Sequence, residues 1–139
     1  MSSGIYNRFK QDVLTKKVDL SGDTIMTALM GAGHSYSAAH NVFSDVSANE
    51  IPASGFVGYI QGGATVNGLS VAGSSTVKWN AADVSWADST IIAYHAVLYD
   101  ANNSNSLICS LDFGGPKSTE AEVFKIRWDN VTNAIITLT

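Results

Sequence analysis

The sequence predicts a mainly β protein, an antiparallel β-sandwich or Greek-key barrel with one N-terminal α-helix. Three observations predict it. A helical period occurs once, near the start; from Thr24 onward apolar residues recur with period two; and Gly, Pro, Asn and Ser signals separate the resulting strands. One domain over all 139 residues is expected, since a chain of this length buries roughly two thirds of its unfolded surface.

The helix is expected over about residues 5–18. Ile5, Phe9 and Val13 recur every four residues with Leu14 adjoining, while Asn7, Arg8, Lys10, Gln11 and Asp12 take the other positions. Ser3 and Gly4 precede it as candidate caps. One apolar stripe on a short helix makes no core by itself, so Ile5, Phe9 and Val13 are expected to dock on another element. Arg8, Lys10, Lys16 and Lys17 read as a solvated basic face that can also meet an acidic neighbour.

Thr24–Met30 suits a strand, and Gly31–Val42 follows as a Gly, Ser, Ala and His stretch without a period, which reads as a surface excursion. Phe56–Ile60, Ala64–Val71, Thr76–Asn80, Thr90–Tyr99, Leu107–Phe113, Val123–Trp128 and Ala134–Leu138 are the remaining strand candidates. Gly62-Gly63, Gly73-Ser74, Asn102-Asn103 and Gly114-Gly115-Pro116 supply the connections between them. The clearest alternation places Phe124, Ile126 and Trp128 on one face and Lys125 and Arg127 on the other, the pattern of a half-buried strand. In Thr90–Tyr99 both faces are apolar, so a central strand covered on both sides is expected, with the helix as a candidate cover.

The composition restricts function. Charged residues make up only 14% of the chain, and 27 Ser and Thr stand in their place, against roughly 25% charged in an ordinary domain. Four of the eight Lys/Arg fall in residues 1–17 against one acid, Asp12, so that segment carries +3 and the rest of the chain −7. An acidic body argues against a nucleic-acid-binding face. The first thirty residues hold no charged-then-apolar export pattern, and the longest apolar run, Ile91–Leu98, falls short of the ~18 residues of a membrane span. A product of the cytoplasm is therefore expected. Cys109, alone in an apolar segment, reads as a small buried hydrophobe.

Chemistry-bearing patterns are sparse. GxGxxG, GxxxxGK[ST], HExxH and GxSxG are all absent. His34, His40, Asp45 and Glu50 crowd together but match no closed zinc spacing, so no metal is expected there. His95 lies in the apolar strand and reads as a core or interface histidine bonded to backbone. Asp100, Asn102 and Ser104 begin like a calcium loop, but Asn105 stands at the turn-glycine position and Leu111 at that of the bidentate acid, which leaves a polar hairpin loop. Asp83 and Asp88 flank Trp86 as a carboxylate pair around a sugar-stacking aromatic would, although turn acids bracketing a strand residue explain them more simply. Asn102-Asn103-Ser104 and Asn130-Val131-Thr132 fit the glycosylation pattern, inert without secretion.

Read in order, Gly4-Ile5-Tyr6-Asn7-Arg8-Phe9-Lys10, Lys17-Val18-Asp19-Leu20 and Asp23–Met30 resemble the opening of a family of small virion proteins from tailed bacteriophages. The resemblance continues through Ser47–Ile51, Gly62-Gly63-Ala64-Thr65, Asp83-Val84-Ser85-Trp86 with Ser89-Thr90-Ile91, Ala96–Tyr99 and Asp112-Phe113-Gly114-Gly115. Gly31–Val42 departs from it, being rich in His and Ala, as does Ile60-Gln61 before Gly62. The resemblance implies a non-enzymatic virion subunit without cofactor or catalytic residues, most simply a decoration or accessory protein of the head. Its partners would be the major capsid protein and further copies of the chain, with no direct contact to nucleic acid or membrane. A tail, neck or fibre-base component is the alternative within that class. A carbohydrate-binding module with Trp86 as its stacking residue is the alternative outside it.

Overall fold

The computed structural model describes residues 3–52, 56–128 and 135–138. Strand β1 (Gly4–Ile5) is followed by helix α1 (Asn7–Leu14), then by β2 (Ile25–Met30), β3 (Ala64–Thr65), β4 (Ser70–Gly73), β5 (Val77–Asn80), β6 (Val84–Asp100), β7 (Ser106–Ile126) and β8 (Ile136–Leu138). These strands form a five-stranded sheet in the order β1-β7-β6-β2-β3 and a three-stranded sheet in the order β4-β5-β8, with every pairing antiparallel. A single apolar cluster takes Ile25, Leu29, Ile91, Leu98 and Ile108 from the first sheet, Trp79 and Ile136 from the second, and Phe9 from α1. Two antiparallel sheets sharing a core make a β-sandwich, as the alternation anticipates.

The period-two logic is clearest where β2 lies against β6, in the register Ile25↔Asp100 to Met30↔His95. Ile25 and Leu29, with Ala96 and Leu98, point into the shared core. Ala28 and Met30, with Val97 and Tyr99, point to the other side, where Tyr6, Val46 and Leu107 join them and Tyr36 and Phe43 pack alongside. The cover on that second face is therefore Tyr6 and the 31–50 segment, while the helix packs along β7 and sends Phe9 into the first cluster.

The excursion is thus part of the packed body. It returns beside β2 through the Met30↔Glu50 bridge and a hydrogen bond from Ile51 N to Leu29 O, with two 3-10 turns, Phe43–Asp45 and Ser47–Asn49, just before the return. Tyr36 donates its hydroxyl to Ile5 O at 2.7 Å, and Leu107 N donates to Asn41 O at 2.9 Å. A Cβ at Gly4 would overlap the Tyr36 ring, so the close approach of β1 to the excursion requires glycine.

The helix is shorter than its period suggests. Gly4 and Ile5 are extended and pair with Ser110 and Cys109, because the free edge of β7 offers them sheet hydrogen bonds. Tyr6 is also extended, and no side chain caps the helix. At the other end Lys16 has φ 62°, and Lys17 N closes on Asp12 O, so residues 15–18 lie outside the helix. The buried side of α1 is Phe9 and Asp12, and Val13 is 42% exposed. Phe9 docks as expected; Val13 does not.

Two predicted strands and the turn between them are one element, β7. Ala93 pairs with Lys117 and His95 with Asp112, so residues 113–116 oppose the single residue Tyr94. Gly114 (φ 77°) and Gly115 (φ 147°) do adopt the conformations that their sequence signals, but they build a bulge inside the strand instead of reversing it. Phe56–Ile60 contains only the Val57↔Thr90 bridge, and Ala64–Val71 divides into β3 and the start of β4. The alternation at Phe124, Ile126 and Trp128, all buried, against exposed Lys125 and Arg127 is as expected. Cys109 is buried, and burial pushes its thiol up to about 12. Ala134, at the start of the last strand candidate, and the Asn130-Val131-Thr132 pattern lie outside the described residues.

Candidate docking groove

Helix α1 is fastened by a buried carboxylate. Asp12, 3% exposed, accepts from Arg8 Nε at 3.0 and 3.1 Å and from Asn103 Nδ2 at 3.0 Å. The contact ties the helix to the β6–β7 loop and engages Arg8 with Asp12. Beyond the helix, Asp19 Oδ1 accepts from Ser21 N, Ser21 Oγ and Gly22 N, which folds residues 19–22 into a tight turn. Those bonds hold the Asp19 carboxyl below its usual range.

Between this turn, the helix and the three-stranded sheet lies an open groove of about 610 Å³. Phe9, Val18, Leu20, Val77, Trp79 and Ile136 form its apolar lining, and Trp79 Nε1 donates to Leu20 O at 3.0 Å, joining two of its walls. Val13, Val71 and Leu138 stand exposed at its edge, Lys16 and Lys17 are exposed on one rim, and Asp19 and Asp23 also line it. The arrangement suits an apolar segment with a charged flank.

Of the residues singled out from sequence, Phe9, Val13, Lys16 and Lys17 meet at this groove. Ile5 is in β1, Arg8 is bound to Asp12, and Lys10 is exposed outside the groove lining. Trp86 is 6% exposed, with its ring centroid 6.0 Å from those of both Tyr59 and Phe124, so it presents no open stacking face. Trp79 and Trp128 are buried too.

The His34, His40, Asp45 and Glu50 group is dispersed. Asp45 Oδ2 accepts from Asn41 N and Val42 N, and Glu50 Oε2 accepts from the Tyr59 hydroxyl at 2.5 Å and Gly62 N at 2.6 Å. Among the described residues no three His, Cys, Asp or Glu side chains converge on a metal-sized site. Asp100, Asn102 and Ser104 lie at the β6–β7 hairpin, where Asp100 Oδ1 accepts from Asn102 N and Asn102 Oδ1 accepts from Thr24 N. Asp83 lies 4.0 Å from Arg127, and Asp88 occupies a bulge with φ 47°.

A polar cluster that the sequence does not announce sits inside the fold. His34 Nε2 is 2.9 Å from Ser110 Oγ, the His34 and His95 rings meet edge to face at 5.0 Å, and His95 Nδ1 lies 3.8 Å from Asp112 Oδ1. His34, His95 and Ser110 are each no more than 2% exposed. Burial takes the His34 pKa down to about 4 and also lowers that of His95, against the pull of Asp112, so both rings are neutral at pH 7. The residue types resemble a hydrolytic relay, but a serine with no exposed surface gives a substrate no approach. Only the period-two position of Ser110, two residues past the buried Ile108, hints at its burial.

Among the described residues no helix is long and apolar enough to cross a membrane. No protein-family model matches the chain, and neither a curated protein nor a solved structure matches it.

Proposed function

We propose that the chain is a non-enzymatic structural protein of a tailed-bacteriophage virion, a decoration or accessory subunit of the head that docks on the major capsid protein through the α1 groove. The phage assignment rests on the ordered sequence blocks from Gly4–Lys10 to Asp112–Gly115. The groove is the geometric observation that carries the docking role. Buried Phe9 and Trp79 form the floor of an open apolar trough, Val13, Val71 and Leu138 stand exposed at its edge, and Lys16 and Lys17 share its rim with Asp19 and Asp23. A trough of this kind favours burial of an apolar partner segment, with the lysines and aspartates of its rim selecting a flank that carries both charges. Uncharged Ser and Thr over much of the remaining surface lower the cost of desolvation against neighbours. The burial of all three tryptophans removes the stacking residues on which the carbohydrate-binding alternative was based.

The test compares binding to heads that lack the protein, to free capsid subunits and to host cells. Strong binding to assembled heads and weak binding to free subunits is expected, because each copy bridges neighbours present only in the shell. Val13→Asp with Lys16→Glu should weaken head binding roughly tenfold or more while leaving the melting transition near that of the parent, since both side chains are exposed. Binding to cells and not to heads would overturn the reading. Binding to neither would move the protein to the neck or tail.

A further inference from the structure

Past its bulge at residues 113–116, β7 continues with β6 as a ribbon that β1 does not reach, since β1 pairs only with Cys109 and Ser110. Among the described residues no strand pairs with the outer edge of β7 along this stretch. Two grooves lie on the ribbon and share Ser118 and Thr119. One, about 480 Å³, brings Lys117 and Lys125 around Phe113 and Val123, with Arg127, which lies 4.0 Å from Asp83, at the same groove and no acid among its described lining residues. The other, about 460 Å³, sets Glu120 and Glu122 beside Phe56 and Ile92, with no Lys or Arg among its described lining residues. Ile92 and Val123 are 46% and 53% exposed, so each groove carries an uncovered apolar side chain.

We propose that two copies of this chain meet at this ribbon about a two-fold axis near Ser118 and Thr119, the basic groove of each closing on the acidic groove of the other. A two-fold contact needs a self-complementary patch. Two adjoining lobes of opposite charge sharing a pivot satisfy that need, because a half-turn about the pivot exchanges them and sets basic on acidic twice. An acidic peptide would answer the basic groove alone and leave Glu120 and Glu122 unmatched; a second copy answers both. The contact is made through grooves and not by extending the sheet. The bulge at residues 113–116 and Ala121, at φ 50°, interrupt the edge, and Lys117 and Lys125 guard it against strand addition. Apolar contacts at Ile92 and Val123 supply burial, and the charges fix orientation. The proposal rests on the virion reading for its setting, in which copies lie side by side on a shell. It leaves the α1 groove free for the capsid.

The test is the oligomeric state of the purified full chain, by sedimentation equilibrium across a concentration series at about 50 and about 500 mM salt. A dimer is expected whose dissociation constant rises roughly tenfold or more at the higher salt, where charge pairs are screened. Lys117→Glu with Lys125→Glu should be monomeric, and so should Glu120→Lys with Glu122→Lys. An equimolar mixture of the two variants should recover the dimer, which also demonstrates that both fold. A monomer throughout the series, a higher or open-ended oligomer, or a dimer indifferent to both charge reversals would each overturn the proposal. Head binding by the same variants separates the two readings. Loss of the dimer with head binding retained in the parent leaves the virion role standing, whereas a dimer that binds no heads preserves this contact and removes the role.

Discussion

The β6–β7 hairpin is one covalent element with two different lives. Near its loop, His95–Asp100 lies between β2 and β7 and is buried on both faces. Farther out, Val84–Ala93 and Lys117–Ile126 form a ribbon whose inner side chains, among them Trp86, Ile91 and Phe124, are buried while Ser85, Ile92, Val123 and Lys125 are exposed. Neighbouring strands make the difference, because β2 and β1 both end before the outer half begins. Stability is therefore concentrated in the inner half, and the outer half is left with surface to offer a partner.

Matched truncations in the two halves test this difference most directly. Leu98→Ala removes a fully buried side chain from the inner half and should destabilise the protein by about 2–5 kcal/mol, whereas Ile92→Ala in the outer half should cost less than about 1 kcal/mol in the monomer. Urea titration of both variants checks it. Equal losses would mean that the outer ribbon is as deeply supported as the inner one.

The next effect is a pH dependence confined to the inner half. The His34 ring titrates near pH 4 in the folded protein and near 6.5 once unfolded. Between those values the unfolded chain holds a proton that the folded chain lacks, so this contribution is fully present above about pH 6.5 and is lost as the pH falls toward 4. The loss should be on the order of 2 to 3 kcal/mol, and His34→Gln should flatten it. Asp100 works in the opposite direction. Burial and the neighbouring Asp23 carboxyl raise its pKa, so its folded form gains a proton first on acidification. Denaturation midpoints at pH 7 and 4.5 for parent, His34→Gln and Asp100→Asn distinguish the two.

A smaller effect concerns the helix that borders the inner half. Asp12→Ala deletes the acceptor shared by Arg8 and Asn103, and should cost about 1–3 kcal/mol. Faster amide exchange in residues 7–14 would show that the loss is local. Unchanged exchange there would mean that Phe9 alone secures the helix.

The sequence made some of this visible and concealed the rest for physical reasons. Phe124, Ile126 and Trp128 were legible because charged neighbours mark the opposite face. Ile92 was not, because in an all-apolar run only the reach of β2 decides where cover ends, and that reach is a matter of register. Asp12 stands among the polar helix positions, and the sequence hides its burial because its partner Asn103 lies 91 residues away, although Arg8 at i−4 is in view. Phe9, Lys16 and Lys17 lie close in sequence and line one groove, but its far wall, Val77 and Trp79, comes from the three-stranded sheet and leaves no trace near them in sequence. Trp86 looked available between Asp83 and Asp88, yet Val84 and Trp86 alternate with Ser85 and Ala87, and that period already pointed the indole inward.

The single thiol gives the inner half a clock. Cys109 lies beneath the β1 pairing, opposite Ile5 on one side and Leu98 on the other, with its ionisation pushed up to about 12. A thiol reagent in excess can reach it only when that part of the sheet opens, so the labelling rate measures how often β7 parts from its neighbours. Because the chain has no other cysteine, each modified molecule records one such opening, and mass spectrometry can count them as temperature or denaturant is varied.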